Sequence, residues 1–164
     1  HAIGAQNACP NRQVISLSGD GGFTMMMGEM LTLKQLNLPI KIFVFNNEEL
    51  SFIAMEMKAS GYLDYATDFI NPDFGKLAEA AGIKGVSIQN SSEVDEKIME
   101  ALNHNGPVIV NVRVDKQELA MPPKIAYQQA KGFSKYLINA ILDGRGTELK
   151  EMAKTNWMKY KSLY

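Results

Sequence analysis

The chain has 164 residues, of which 46% are hydrophobic and 21% are charged, enough for a domain with a sizeable apolar core. The formal net charge of -1 argues against a nucleic-acid partner, because binding a phosphate backbone requires a basic face. Cys9 has no second cysteine to pair with, so we expect a small core residue and a reducing, cytoplasmic location.

The first six residues contain neither an initiator Met nor a basic-then-apolar targeting pattern. Their composition is typical of the middle of a helix. We therefore expect the chain to be the carboxyl-terminal part of a longer protein.

Residues 14–45 are predicted to form a βαβ unit. Residues 14–17 and 40–45 are apolar and rich in β-branched or aromatic side chains, which is typical of buried strands, and residues 24–36 repeat apolar side chains at helical spacing. The crossover in such a unit is right-handed, so its strands are parallel and their carboxyl ends meet at one edge of the sheet. Asp20 and Asn47 follow these two strand ends, so we expect them to face one crevice.

These residue types suit a magnesium ion and a diphosphate. Mg²⁺ prefers oxygen ligands at about 2.1 Å, with one or two from the protein and the rest from phosphate and water. Asp20 offers a charged oxygen and Asn47 a neutral one, while Gly21 and Gly22 let backbone N–H groups approach a phosphate at a helix start. The alternative stays open, because Asp-Gly-Gly and Asn-Asn are also ordinary turn sequences.

The rest of the chain alternates helices and strands. Residues 61–71 are predicted to be an irregular aromatic loop, followed by a helix over 73–81, a strand over 83–88, a helix from 91 and a strand over 108–114. The pattern predicts an α/β fold: a three-layer sandwich in which helices cover both faces of a mostly parallel sheet. His104 is expected to be a solvated residue at a helix end rather than a metal ligand.

A helical tail is predicted over residues 121–164, after a first domain over 1–120. Met121-Pro122-Pro123 opens the tail, residues 126–143 favour one helix, and residues 147–164 favour a second, amphipathic one. The apolar side of that second helix contains Leu149, Met152, Ala153, Trp157, Tyr160, Leu163 and Tyr164, with Lys150, Lys154 and Lys161 on its flank. Such a helix suits either a membrane interface or packing against protein, and no stretch has the length of a spanning helix.

Gly-Asp-Gly followed by Asn-Asn resembles the signature of thiamine diphosphate (ThDP)-dependent enzymes, in the domain that holds the diphosphate and its magnesium. The sequence around both motifs, Gly19 to Met30 and Val44 to Met57, is similar to that of pyruvate oxidases, especially the quinone-linked type that forms acetate. The similarity extends through residues 130–134 to residues 153–157.

The resemblance implies a set of site residues. The metal ligands would be Asp20, Asn47 and the backbone carbonyl of Glu49. The cofactor would contact Asp20, Gly21, Gly22, Asn47, Glu49, Leu50, Ser51, Phe52 and Ile53, with the hydroxyl of Ser51 replacing a backbone contact where relatives have glycine. Phe52 and Glu56, which share a helix face, would be catalytic, Glu56 shuttling a proton with a raised pKa. From the pattern alone, Phe52, Ile53, Met55 and Met57 could instead pack a core beside a solvated Glu56.

The reaction implied is oxidative decarboxylation of pyruvate to acetate, with electrons passed through FAD to a quinone. FAD would be bound by a domain outside this chain, the fragment alone would be inactive, and the full enzyme would be a homotetramer. Because the quinone lies in the bilayer, residues 147–164 would hold the enzyme at the inner face of the cell membrane. Two alternatives remain: an acetolactate synthase-like carboligase or phosphate-dependent pyruvate oxidase, and a non-catalytic α/β interaction module.

Overall fold

The computed structural model describes residues 1–116 and 126–162, with side chains as far as residue 157. The strands are β1 (Ile15–Gly19), β2 (Lys41–Asn46), β3 (Lys84–Ile88) and β4 (Val108–Arg113). The helices are α1 (Ala2–Ala8), α2 (Asp20–Met25), α3 (Met30–Gln35), α4 (Ser51–Ala59), α5 (Phe74–Ala80), α6 (Val94–Asn103), α7 (Tyr127–Leu142) and α8 (Gly146–Ser162), with 3₁₀ turns at Met27–Glu29 and Ser91–Glu93.

The described residues form two compact units. The first unit contains His1–Glu48 and Ile70–Val114, and the second contains Glu49–Phe69 with the described part of Asp115–Tyr164. The division at residue 120 stays a prediction.

The first unit is built on a four-stranded sheet in the order β1-β2-β4-β3. Every neighbouring pair is parallel, with Gly19 opposite Phe45 and Asn46 opposite Arg113. The predicted α/β fold with a parallel sheet is therefore confirmed. All four carboxyl ends lie at one edge, as the βαβ pattern predicted for β1 and β2.

Both faces of this sheet are packed. On one face Val44 and Ile109 contact Phe23 of α2 and Phe74 and Ala78 of α5. Successive residues of a strand point to opposite faces of the sheet. On the other face, Ala101 of α6 packs in one cluster with the strand residues Phe43, Val86, Ile88, Val108 and Val110. Helices on both faces of the sheet are thus confirmed in the first unit.

The helical segment predicted over residues 24–36 is present but interrupted. Helix α2 starts at Asp20 and ends at Met25, and a 3₁₀ turn separates it from α3. Met26 leaves the helical region, with φ -125° and ψ 19°, and Gly28 in the turn lowers helix propensity further. Gly21 and Gly22 consequently lie inside the first turn of α2 rather than ahead of it.

Two single-residue expectations have different outcomes. Cys9 is exposed, so its predicted place in the core is wrong, because it caps the carboxyl end of α1 in a surface turn. His104 is the exposed carboxyl-terminal cap of α6, as predicted.

The second unit contains α4, residues 61–69 of the predicted loop and the two predicted tail helices. Tyr136 and Ala140 of α7 form a buried cluster with Met152 of α8, and Leu149 packs against it. Trp157 on the same helix is 64% exposed. Pro122, Pro123, Leu163 and Tyr164 lie outside the described residues, as does the side chain of Tyr160. Within the described ranges no helix is long and apolar enough to cross a bilayer.

Candidate functional site

Asp20 is the first residue of α2, directly after β1, and is 2% exposed. Three N–H groups donate to its carboxylate. Oδ1 accepts from the Gly21 backbone at 2.8 Å, and Oδ2 accepts from the Glu48 backbone at 2.7 Å and from Asn71 Nδ2 at 2.8 Å. A carboxylate with this number of donors is held in one orientation and remains a strong acceptor.

The hydrogen bond from Glu48 joins the two motifs that the sequence placed at neighbouring strand ends. Its N–H belongs to the peptide that follows Asn47, so the carboxylate of Asp20 lies against the segment that carries Asn47. The parallel pairing of Gly19 with Phe45 explains the approach, because both chains leave the sheet at the same level. The structure thus brings Asp20 and the 46–48 segment together, as expected.

Glu48 makes the turn after Asn47 with an unusual backbone conformation. Its φ is +60°, in the left-handed region that non-glycine residues seldom adopt. Its N–H is bound to Asp20, and its carboxylate accepts a 2.8 Å hydrogen bond from Arg113 at the end of β4. This bond raises the pKa of Arg113. Hydrogen bonds made by the backbone N–H and by the side-chain carboxylate of Glu48 therefore stabilise the turn.

Three asparagines extend the site and were not singled out from the sequence as a group. Asn71 Nδ2 donates to Asn46 Oδ1 at 3.1 Å as well as to Asp20, and Asn46 Nδ2 donates to Asn111 Oδ1 at 3.0 Å. Asn46 and Asn111 are 3% and 2% exposed. Asn46 belongs to the Asn-Asn motif, and Asn111 is a polar residue inside the apolar strand β4, where a buried amide needs a hydrogen-bond partner.

The glycines of the motif differ in their surroundings. Gly21 is buried and its N–H is occupied by Asp20. Gly22 is exposed, and a Cβ built on it would have no heavy atom within 4 Å. Open space beside Gly22 is compatible with the predicted approach of a phosphate, which stays a prediction.

The remaining predicted site residues belong to the second unit. Glu49 forms an isolated antiparallel bridge with Asp68, and the Leu50 N–H donates to the Thr67 carbonyl at 2.8 Å. The Glu49 side chain is 6% exposed, and this burial raises its pKa against the opposing charges of Lys58 and Lys116. The segment before α4 is therefore fixed by backbone contacts.

Helix α4 begins at Ser51 and exposes the predicted catalytic side chains. Phe52 is 72% exposed and Ile53 is 49% exposed, and Glu56 is exposed as well. The buried residues of the helix are Ala54 and Lys58. Phe52 and Ile53 are therefore not core residues of this chain, although their predicted roles at a cofactor stay predictions.

The residues at the sheet edge fit a magnesium ion in donor chemistry. Asp20 supplies a buried carboxylate whose Oδ1 accepts one hydrogen bond from the described part of the chain, which leaves an acceptor position for a cation. In the described part of the chain, no three His, Cys, Asp or Glu side chains group as metal ligands. A cation here would need oxygens from an amide, a backbone carbonyl or a phosphate, which are the ligands predicted from the sequence.

Comparison with known proteins agrees with this geometry. The family described as "Thiamine pyrophosphate enzyme, C-terminal TPP binding domain" matches residues 1–112; thiamine pyrophosphate is another name for ThDP. YdaP of Bacillus subtilis, provisionally named a thiamine pyrophosphate-containing protein, is 38% identical over 154 residues, 94% of this chain and 27% of the relative.

Acetolactate synthases are similar over a shorter part of the chain. The mitochondrial catalytic subunit from Saccharomyces cerevisiae is 39% identical over 122 residues, and the isozyme 2 large subunit from Escherichia coli is 36% identical over 123 residues. Each match covers 74% of this chain, and 18% and 22% of the respective relatives. The chain therefore spans about a quarter or less of the length of these relatives. With residues 1–112 matched, it belongs to the family of thiamine pyrophosphate enzymes, as their C-terminal TPP-binding domain.

Proposed function

We propose that this chain anchors the diphosphate and magnesium ion of ThDP in an acetolactate synthase-like enzyme that uses pyruvate. The observation that carries the proposal is the buried Asp20 carboxylate, held against the Asn47–Glu48 peptide at the carboxyl edge of the sheet. The similarity to acetolactate synthases, at 39% and 36% identity, supports the carboligase over the pyruvate oxidase expected from the sequence motifs.

The residues of this chain have binding and positioning roles in this proposal. Asp20, Asn47 and the Glu49 carbonyl bind Mg²⁺, and Gly22 leaves room for the diphosphate. Bound ThDP supplies the carbanion chemistry that decarboxylation of a 2-keto acid requires. Phe52 and Ile53 present apolar surface to the cofactor, and Glu56 on the same helix donates or accepts a proton at the substrate oxygen.

A quinone-linked pyruvate oxidase is the second candidate. Trp157, exposed on the basic helix α8, is compatible with contact to anionic lipid. In this candidate the full enzyme also uses FAD and a membrane quinone and forms a homo-oligomer.

Product analysis separates the two candidates. The full-length protein that contains this chain is incubated with pyruvate, ThDP, Mg²⁺ and FAD, with and without a quinone and phosphate. Acetolactate supports the carboligase, whereas acetate that forms only with the quinone supports the second candidate. Acetyl phosphate that forms only with phosphate would contradict both and identify a phosphate-dependent oxidase.

Cation binding tests the anchoring role directly. Asp20→Ala should weaken Mn²⁺ binding, followed by electron paramagnetic resonance with ThDP present, by at least about 10-fold, because a ligand is lost. Asp95→Ala, at an exposed aspartate in the first turn of α6, is the control and should bind Mn²⁺ as the wild type does. Failure of the wild type to bind Mn²⁺ and ThDP would instead support the non-catalytic module.

A further inference from the structure

We infer that Asn71 is a positioning residue that makes Asp20 a one-oxygen ligand and so favours Mg²⁺ over Ca²⁺. This inference rests on the proposed function. It concerns a residue outside both sequence motifs, 51 positions from Asp20 along the chain.

The number of acceptor positions on Asp20 is the first step. A carboxylate has about four lone-pair positions, two on each oxygen. Oδ2 accepts from Glu48 and from Asn71, so both of its positions are used. Among the described residues, Oδ1 accepts from Gly21 alone. One position on Oδ1 is left for a cation, and a bidentate contact through both oxygens is blocked.

The orientation of the Asn71 amide is the second step. Its Nδ2 carries two hydrogens, and the two acceptors are Asp20 Oδ2 and Asn46 Oδ1, at 2.8 and 3.1 Å. Asn46 is fixed in turn by its 3.0 Å bond to Asn111 on the adjacent strand β4. The amide of Asn71 is therefore connected through Asn46 and Asn111 to β2 and β4, the two central strands of the sheet.

Cation selectivity follows from the ligand geometry. Mg²⁺ requires an octahedron of single oxygens at about 2.1 Å, whereas Ca²⁺ accepts bidentate carboxylates and six to eight ligands. A carboxylate held to one oxygen therefore fits Mg²⁺. Without the Asn71 amide, Oδ2 keeps only the hydrogen bond from Glu48 and gains a free acceptor position, so both oxygens can contact a cation, which improves the site for Ca²⁺ relative to Mg²⁺.

The test uses Asn71→Ala in the full-length protein with ThDP present. Mg²⁺ and Ca²⁺ affinities are measured by competition against Mn²⁺, followed by electron paramagnetic resonance. Asn71 is half-buried, so truncation should leave the fold intact, which the unfolding temperature without cation verifies. We expect Mg²⁺ affinity to fall about 10-fold and Ca²⁺ affinity to fall less, so that the Mg²⁺ to Ca²⁺ preference decreases.

Two further variants sharpen the result. Asn71→Ser is too short to join Asn46 to Asp20 and should lower the same preference even if the alanine variant proves unstable. Asn139→Ala removes an asparagine whose side chain donates to the Gly61 carbonyl at 3.1 Å in the second unit, and should leave the preference unchanged. Equal weakening of both cations, or no change, in a folded Asn71 variant would overturn the inference. Absence of Mg²⁺ binding in the wild type would overturn the proposed function itself.

Discussion

Gly85 of β3 lies directly against the backbone of Gly75 in α5, with no space for a side chain between them. A Cβ on Gly85 would overlap the carbonyl oxygen of Gly75, and a Cβ on Gly75 would lie 2.8 Å from the carbonyl oxygen of Val86. The pair of glycines allows α5 to pack closely on the sheet beside the polar edge.

Gly85→Ala should therefore destabilise the protein. The new methyl group meets backbone rather than a flexible side chain, so the expected loss is about 1–3 kcal/mol in the free energy of unfolding, measured by denaturant titration. Gly28→Ala is the matched control, because a Cβ there meets nothing within 4 Å and its φ is not positive. A Gly85→Ala protein as stable as the Gly28→Ala protein would show that α5 can shift without cost.

Gly132→Ala tests the same kind of contact in the second unit. A Cβ on Gly132 of α7 would overlap the carbonyl oxygen of Ala59 at the end of α4. We expect α7 to be pushed away from α4 and the unfolding free energy to fall by about 1–3 kcal/mol. Gly146→Ala at the start of α8 has open space and should change stability by less than about 1 kcal/mol. If both variants unfold at the same denaturant concentration, the close crossing contributes nothing.

Asp64 should make stability depend on acid pH. Burial alone would raise its pKa, but the hydrogen bond from Arg145 at 2.5 Å and the charge of Lys58 lower the pKa below its ordinary value of 3.8. As the pH falls, Asp64 is therefore protonated in the unfolded chain before it is protonated in the folded protein. The contribution of the Asp64 carboxylate to the free energy of unfolding is present above pH 3.8 and is lost as the pH falls through the folded-state pKa.

Thermal unfolding of Asp64→Asn between pH 3 and pH 7 measures this effect. The variant should be less stable by about 1.5–3 kcal/mol at neutral pH, since a hydrogen bond to a charged group is lost, and the difference should shrink below pH 3.8. Asp143→Asn, at an exposed carboxylate 3.6 Å from the same arginine, is the control and should have a small effect. A difference that stays constant with pH would contradict the assigned cause.

Two substitutions of Glu48 separate backbone strain from charge. Glu48→Gly and Glu48→Val both remove the exposed ion pair with Arg113. Glycine adopts φ +60° freely, whereas a β-branched residue does not, so the valine variant should be less stable by about 1–2 kcal/mol. Denaturant unfolding of both proteins gives this difference. Equal stability would mean that the turn relaxes to a negative φ.

The pattern of hydrophobic residues was sufficient to predict the parallel α/β sheet of the first unit. Most residues of the strands β2 and β4 are buried, although Phe45 is 40% exposed, and their sequences are mainly apolar runs of the kind that indicates parallel strands. The interruption after Met25 was not predictable from the periodicity, because apolar side chains keep helical spacing across it and only the backbone departs.

The candidate site was predictable only in part. Asp20 and Asn47 follow adjacent strands, so the order of elements brings their segments together. Asn71 reaches Asp20 through tertiary structure alone, and nothing local marks it. The burial of Lys41 was not predictable from the local sequence either. Its side chain is 1% exposed, and its ammonium donates to the backbone carbonyls of His104 and Gly106, both at 2.6 Å.

The strand order has a consequence for synthesis on the ribosome. Strand β4 follows β1, β2 and β3 along the described chain, yet it occupies an interior position and is the partner of both β2 and β3. Until Arg113 has left the exit tunnel, β3 has no neighbouring strand to pair with. The Asn46 amide also lacks its hydrogen-bond acceptor, Asn111. Completion of the polar edge around Asp20 is therefore expected only after β4 has been synthesised, and not when β1 and β2 alone are available.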